Sequence, residues 1–195
     1  MPSALQLDEA GWCVQARRLP SPNFDARPVG AAVDLLVVHN ISLPPDEFGG
    51  SYIEALFLNC LDCSQHPYFE RLRDLKVSAH FLILRDGSLL QFVSANDRAW
   101  HAGASVFQGR ERCNDFSIGV ELEGSDFRPF EDAQYRTLAA LADALAANYP
   151  LKHLAGHEHI APGRKTDPGP FFDWKRLAQQ VHTPLSLPAG LQKAL

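Results

Sequence analysis

Leu35-Leu36-Val37-Val38-His39-Asn40 starts as an unbroken apolar run and ends in two polar side chains. A short apolar run without alternation is typical of a strand that is buried on both faces, at the centre of a sheet covered by helices. The run therefore predicts a central strand over residues 34–39. That strand carries a histidine at its end.

A second strand is predicted over Ser117–Glu123. Because side chains alternate along a strand, Ile118, Val120 and Leu122 share one face. Gly119, Glu121 and Glu123 share the other face. Two acidic side chains are thus presented side by side, and the periodicity does not distinguish between them.

The remaining pattern predicts a single α/β domain with a mixed central sheet flanked by helices. Apolar residues recur at helical spacing between Glu131 and Asn148, and Pro150 ends that helix. Turn residues 85–88 predict a hairpin between two apolar runs. Further short elements are predicted over 51–58, 66–72, 151–156 and 174–181. The domain is expected over residues 1–183, with a loosely held tail over 184–195.

Residues 154–170 form an irregular segment that contains many ionisable groups. Three prolines and three glycines interrupt it, so it is predicted to be a loop rather than a helix interior or a central strand. The loop carries His157, Lys165 and Asp167. Irregular loops of this kind often hold functional side chains.

His39, His157 and Asp167 are candidate ligands of a zinc ion. Catalytic zinc takes three protein ligands of these types and leaves a fourth position open. Two imidazoles and a carboxylate suit zinc better than magnesium or calcium. Two other interpretations stay open at this point: His39 only donates a hydrogen bond, and Asp167 only begins a turn before Pro168.

Several segments occur in the order seen in one enzyme family. They are Val38–Pro45, Ser78–Ile83, Ala99–Gly103, Gly109–Ser117, Gly119–Gly124, Gly156-His157 and Arg164–Gly169. From about Gly11 to Val181 the chain resembles the zinc N-acetylmuramoyl-L-alanine amidases, which are related to phage lysozyme-amidases and peptidoglycan recognition proteins. Within that family it is most similar to the cytosolic AmpD type.

The resemblance implies hydrolysis of the bond between the lactyl group of muramic acid and L-alanine in 1,6-anhydromuramyl peptides recovered from the cell wall. It implies Zn²⁺ bound by His39, His157 and Asp167, and catalytic roles for Glu121 and Lys165. In bacteria with an inducible β-lactamase, loss of such an activity is expected to raise β-lactamase expression.

Four residues are predicted to contact the substrate. Asn40 follows from the resemblance, and Arg112 is favoured as a clamp because its planar fork suits carboxylates. Trp100 is a candidate aromatic wall for a sugar ring. Lys76 stands where some relatives carry arginine. In addition, His159 stands where many relatives carry aspartate.

The composition and net charge limit the classes of partner that the chain is expected to bind. The chain has 195 residues, 46% of them hydrophobic, and a net charge of −5. This charge argues against nucleic acid and anionic membranes as partners, and a monomer is expected. The N-terminus lacks the basic and apolar regions of a secretory signal, so a cytoplasmic location is expected. The four cysteines, including the pair Cys60 and Cys63, are expected to be reduced structural thiols.

Three other functions are alternatives to the recycling amidase. A binding module of the same fold without catalysis would be expected to lack a zinc ligand. A secreted autolysin acting on intact wall would be expected to carry a signal peptide. A thermolysin-like peptidase would carry an H-E-x-x-H helix, and the sequence has none.

Overall fold

The computed structural model of the protein describes residues 4–188. The strands are β1 (Arg17–Arg18), β2 (Phe24–Asp25), β3 (Leu35–Ile41), β4 (Phe81–Ile83), β5 (Leu89–Gln91), β6 (Arg98–Ala99), β7 (Val106–Phe107), β8 (Arg110–Glu111), β9 (Ser117–Glu123) and β10 (His153–Gly156). The α-helices are α1 (Tyr52–Phe57), α2 (Asp132–Asn148), α3 (His157–Ile160) and α4 (Trp174–Gln180). Short 3-10 helices cover Cys63–Gln65, Pro67–Leu72 and Cys113–Asp115.

Six strands form one mixed sheet in the order β1-β5-β4-β9-β3-β10. Strands β4, β9, β3 and β10 run parallel, and β4 pairs with β5 antiparallel through the predicted hairpin. Strand β3 lies between β9 and β10, so its apolar run is buried as predicted. The mixed α/β architecture inferred from the sequence is confirmed.

Helices cover both faces of the sheet. On one face, Leu36 and Val38 of β3 pack with Leu138 of α2 and Leu177 of α4. On the other face, a second cluster joins α1 and the 3-10 helix Pro67–Leu72 to β4 and β5. A third cluster, which includes Val37 and Ile160, packs α3 against the β10 side of the sheet. Helices therefore cover much of both faces of the sheet. A ligand-binding site can form only where part of a face is left uncovered.

Helix α2 begins within one residue of the predicted start. Glu131 precedes it, and its N–H donates to Oε1 of Gln134 at 3.0 Å. The Gln134 amide donates to the carbonyl oxygens of Ile83 and Glu123. Gln134 thus ties the start of α2 to the ends of β4 and β9.

The element predicted over 151–156 is confirmed as β10, and the loop predicted over 154–170 therefore begins later than expected. Leu154–Gly156 belong to β10, which lies at the edge of the sheet, and His157–Ile160 form one helical turn. The first proline of the segment is Pro162, so neither element loses a backbone donor to proline. The loop proper begins only after this turn.

The predicted tail boundary at residue 183 is also too early. Ser186 pairs with His153, and its backbone exchanges hydrogen bonds with Lys152 and Leu154 at 2.9 Å each. Leu187 is buried against the main core. The packed domain therefore reaches at least Leu187; residues 189–195 of the predicted tail lie outside the described residues. Within residues 4–188, no helix has the length and apolar character needed to cross a membrane.

Candidate active site

Three candidate ligand atoms meet at the carboxyl ends of β3 and β10. His39 lies near the end of β3, and His157 follows Gly156, which pairs with Val38 of β3. The two Nδ1 atoms are 3.0 Å apart. Oδ2 of Asp167 lies 2.9 Å from Nδ1 of His39 and 3.1 Å from Nδ1 of His157. The structure thus brings the three predicted ligands to one point.

The arrangement of these groups suits a cation at that point. Nε2 of His157 lies 3.1 Å from the carbonyl oxygen of Ala102, and Nη2 of Arg164 lies 3.4 Å from the same nitrogen. A proton on Nε2 can be donated to that carbonyl, which leaves the lone pair of Nδ1 facing the carboxylate of Asp167. In that tautomer a bound cation would satisfy the facing lone pairs, so the cluster can hold a metal ion.

Burial keeps the His39 imidazole neutral. Its side chain is 1% exposed, and desolvation lowers its pKa to about 4, although Asp167 opposes that shift. A neutral imidazole is the form that binds a metal. The site therefore presents its first ligand ready for metal at neutral pH.

Glu121 lies beside this cluster on β9, in register with His39. The residue is 9% exposed, and its Oε2 has no hydrogen-bond partner. Burial raises the pKa of Glu121 well above its usual value; Asp167 raises it further, and Lys165 opposes the rise. An unpartnered buried carboxyl with a raised pKa can take up and release a proton during catalysis.

Glu123 shares the face of Glu121 but is tied into the backbone. Its carboxylate accepts hydrogen bonds from the N–H of Gly49 and from the N–H of Arg85, the latter at 3.0 Å. These donors lie on loops distant in sequence, so strand periodicity could not reveal them. The structure thus separates a free carboxyl, Glu121, from a structural one, Glu123.

The cluster lies at the floor of an open cleft of about 450 Å³. One wall is apolar and comes from α1 and the segment 68–77; it includes Leu56, Phe57, Tyr68, Leu72, Leu75 and Val77. The lining also includes Phe127, Arg164 and Lys165, together with the acidic residues Asp46 and Asp126. A ligand in this cleft would therefore meet both an apolar surface and charged groups of both signs.

A family model described as N-acetylmuramoyl-L-alanine amidase matches residues 29–170. This chain belongs to the N-acetylmuramoyl-L-alanine amidase family. It is 58% identical over 182 residues to 1,6-anhydro-N-acetylmuramyl-L-alanine amidase AmpD of Citrobacter freundii, covering 92% of this chain and 96% of that one. It is 59% identical over 170 residues to AmpD of Escherichia coli, covering 86% and 93%.

Solved structures of relatives share the fold of this amidase. A crystal structure of a selenomethionine AmpD derivative matches with a TM-score of 0.86 at 56% identity, covering 90% of this chain and 98% of that one. AmiD from E. coli, solved with the substrate anhydro-N-acetylmuramic acid-L-Ala-D-γ-Glu-L-Lys, matches with a TM-score of 0.57 at 31% identity, covering 91% and 65%. The family resemblance seen in the sequence is confirmed.

The predicted substrate contacts of this amidase are spread unevenly around the cleft. Asn40 lines it, but its amide hydrogens donate to Asp126 Oδ1 and to the carbonyl oxygen of Pro168. Trp100, Lys76 and Arg112 are not among the lining residues.

Contacts with other residues account for the positions of Arg112 and Trp100 outside the cleft. The Arg112 guanidinium is 70% exposed and lies 3.3 Å from the Asp115 carboxylate across the short helix Cys113–Asp115. The backbone of Trp100 exchanges hydrogen bonds with Ser78. Lys76 is exposed, while its neighbour Val77 faces the cleft.

Asp126 is a site residue that the sequence analysis missed. It accepts hydrogen bonds from the Asn40 amide at 2.7 Å and from the Thr166 hydroxyl, next to Asp167. A Cβ at Gly169 would lie 2.5 Å from Asp126 Oδ1, so only glycine allows this approach. Asp126 therefore holds the loop that carries Asp167 against the end of β3. Its only signal in the sequence is its place after the Gly119–Gly124 motif.

Proposed function

We propose that this amidase binds Zn²⁺ through His39, His157 and Asp167 and hydrolyses the amide between the muramic acid lactyl group and L-alanine in 1,6-anhydro-N-acetylmuramyl peptides, in peptidoglycan recycling. The observation that carries this proposal is the match of 58–59% identity to AmpD relatives over most of both chains. Those relatives are named for this activity. The convergence of the three donors supports it independently.

The donor set fits zinc. Ligands about 2.0–2.1 Å from a tetrahedral zinc ion stand roughly 3.3 Å from one another. The three donor atoms here are separated by 2.9–3.1 Å, close to that spacing. Two imidazole nitrogens and one carboxylate oxygen match zinc's preference and leave a coordination position for water or substrate.

Glu121 is proposed as the general base and acid. Zinc bound at the cluster would polarise the scissile carbonyl and make water more acidic. Glu121 accepts a proton from the attacking water and delivers it to the departing L-alanine nitrogen. Its burial supports this role, because a carboxyl with a raised pKa holds the proton between the two steps.

Lys165 is proposed to stabilise the oxyanion that develops on the lactyl carbonyl. Its side chain lines the cleft, two residues from Asp167 along the same loop. A positive charge placed beside the reacting carbonyl stabilises the negative charge that develops on its oxygen. Arg164 lines the cleft as well, but its guanidinium donates to the carbonyl oxygens of Ala102 and Ala104.

The proposed roles of the other predicted substrate contacts depend on where each residue lies relative to the cleft. Asn40 has both amide hydrogens engaged, so it would offer its oxygen to a substrate N–H. Trp100, Lys76 and Arg112 stand beside the cleft rather than in it. They would contact only a substrate that extends beyond the cleft, such as its sugar or the end of its peptide.

We further propose a cytoplasmic monomer. The resemblance to the AmpD type supports this location. In a host with an inducible β-lactamase, loss of this enzyme would let muropeptides accumulate and would raise β-lactamase expression.

Product analysis by mass spectrometry tests the proposed reaction. The purified protein is given anhydromuramyl tripeptide or intact sacculi, each with and without a chelator, and Asp167→Ala serves as the inactive control. We expect chelator-sensitive release of free tripeptide from the soluble substrate alone. Release from sacculi as well would indicate a broader wall amidase. No release from either substrate would indicate a binding module.

A further inference from the structure

We propose that His101 is a positioning residue that orients the metal ligand His39 through a hydrogen bond between the two imidazoles. The inference rests on the proposed ligand set and extends it to a residue outside that set. Nδ1 of His101 lies 3.0 Å from Nε2 of His39, on the side of the His39 ring opposite its ligand atom. The two rings meet edge to face at 85°, with centroids 5.1 Å apart.

The bond has a required direction when a metal is bound. His39 must keep the Nδ1 lone pair for the metal, so its proton lies on Nε2 and is donated to Nδ1 of His101. His101 then carries its own proton on Nε2, which lies 3.2 Å from the Ser117 hydroxyl oxygen. Ser117 accepts that hydrogen bond. This three-membered chain can therefore support the tautomer of His39 that leaves Nδ1 free for the metal.

The opposite direction of these hydrogen bonds would prevent His39 from binding the metal through Nδ1. If the Ser117 hydroxyl donated to His101, then His101 would donate to Nε2 of His39. The proton of His39 would then sit on Nδ1 and point at the metal position. Fixing the tautomer of a ligand histidine through its second nitrogen is a general way of tuning metal affinity.

The fold is built to hold the His101 ring in this place. A Cβ at Gly119 would lie 2.4 Å from Cγ of His101, so the ring rests directly on the backbone of β9. The Asn114 side-chain oxygen accepts from the backbone N–H of Ala102 at 2.8 Å and from that of His101 at 3.3 Å. The missing side chain at Gly119 and the Asn114 clamp both serve this one ring position.

The same short segment orients the other ligand histidine. The carbonyl oxygen of Ala102 lies 3.1 Å from Nε2 of His157 and can accept its proton, and the same oxygen accepts a hydrogen bond from Nη2 of Arg164 at 2.8 Å. One side chain and the next carbonyl therefore face the second ring nitrogens of both proposed ligand histidines. This gives the 101–102 segment a role in metal binding, although neither residue supplies a ligand.

Two substitutions distinguish a hydrogen-bonding role of His101 from a role in packing alone. In His101→Asn the amide oxygen can stand near the place of Nδ1 and still accept the proton of His39. In His101→Leu the volume is largely kept but the acceptor is lost. His182→Asn is the matched control, because the His182 side chain is 93% exposed and pairs with Asp143.

Zinc affinity of the purified full-length variants is measured by competition with a chromophoric chelator, and the metal-free forms are compared by circular dichroism and thermal unfolding. We expect His101→Leu to weaken zinc binding about 10–100-fold and His101→Asn to stay within about threefold of wild type. The control should match wild type. A folded His101→Leu protein with wild-type affinity would overturn the proposal. So would equal weakening in the Leu and Asn variants.

A spectroscopic measurement keeps the test decisive if His101→Leu fails to fold. In zinc-loaded wild-type protein with nitrogen-labelled histidine, NMR should show His39 and His101 each protonated on Nε2. Protonation of His101 on Nδ1 would refute the proposed direction. If wild type binds no zinc at all, the proposed function fails instead, and the two failures are thereby distinguished.

Discussion

Glu121→Gln and Glu123→Gln should produce opposite phenotypes, although the two residues share one strand face. Glu121 has an unpartnered buried Oε2 beside the ligand cluster, whereas Glu123 accepts two backbone hydrogen bonds. Replacing Glu121 by its isosteric amide removes a proton acceptor without breaking a hydrogen bond at Oε2. Replacing Glu123 by glutamine leaves one oxygen for two backbone donors, which weakens one of the two bonds that tie distant loops to β9.

The magnitudes follow from these contacts. Loss of general acid–base catalysis should lower kcat/KM of Glu121→Gln by about 10²–10⁴-fold, or roughly 2.7–5.5 kcal/mol. Its thermal stability should be unchanged or slightly higher. In Glu123→Gln, a weakened hydrogen bond to a charged group costs about 1.5–3 kcal/mol. For a domain of this size, that lowers Tm by roughly 3–12 °C, with little loss of activity.

The assay is tripeptide release from anhydromuramyl tripeptide at saturating zinc, combined with thermal unfolding of the same preparations. Bound metal is counted in each variant, so that a lost ligand is not mistaken for a lost base. Two results would refute the reasoning. One is full turnover by Glu121→Gln, and the other is an inactive Glu123→Gln protein with wild-type stability and metal content.

Three further outcomes are expected. Asp167→Ala should fold but lose zinc and activity, and near-normal zinc content by mass spectrometry would contradict the ligand assignment. Gly119→Ala should displace His101, because the new Cβ would fall 2.4 Å from its Cγ, and should weaken zinc binding measured by competition. Asp126→Asn should lower zinc affinity about tenfold by loosening the loop of Asp167, whereas unchanged affinity would show that this loop is held by other contacts.

Much of the fold could be predicted because its elements carry local signals. The apolar run of β3, the helical spacing of α2 and the turn residues between β4 and β5 each specify an element within a few residues. These signals depend on short-range periodicity, which a single sequence displays. The helical turn at His157–Ile160 was missed because the glycines and prolines around it dominated the pattern.

The site was predictable in its residue types and not in its geometry. His39, His157 and Asp167 could be proposed from strand ends, loop composition and family motifs, and the structure brings them together. The choice between Glu121 and Glu123 could not be read from alternation. It depends on backbone donors at Gly49 and Arg85, which reach Glu123 from other parts of the chain.

By itself, the sequence determined the element types, the central position of β3 and the family, and it supplied the proposed ligand set. Those properties depend on local pattern and on motif order. Only the tertiary structure decided which acidic group is left free and how His101 meets His39. These outcomes depend on contacts between residues distant in sequence, and hydrogen-bond pairing across such contacts has no local periodicity to reveal it.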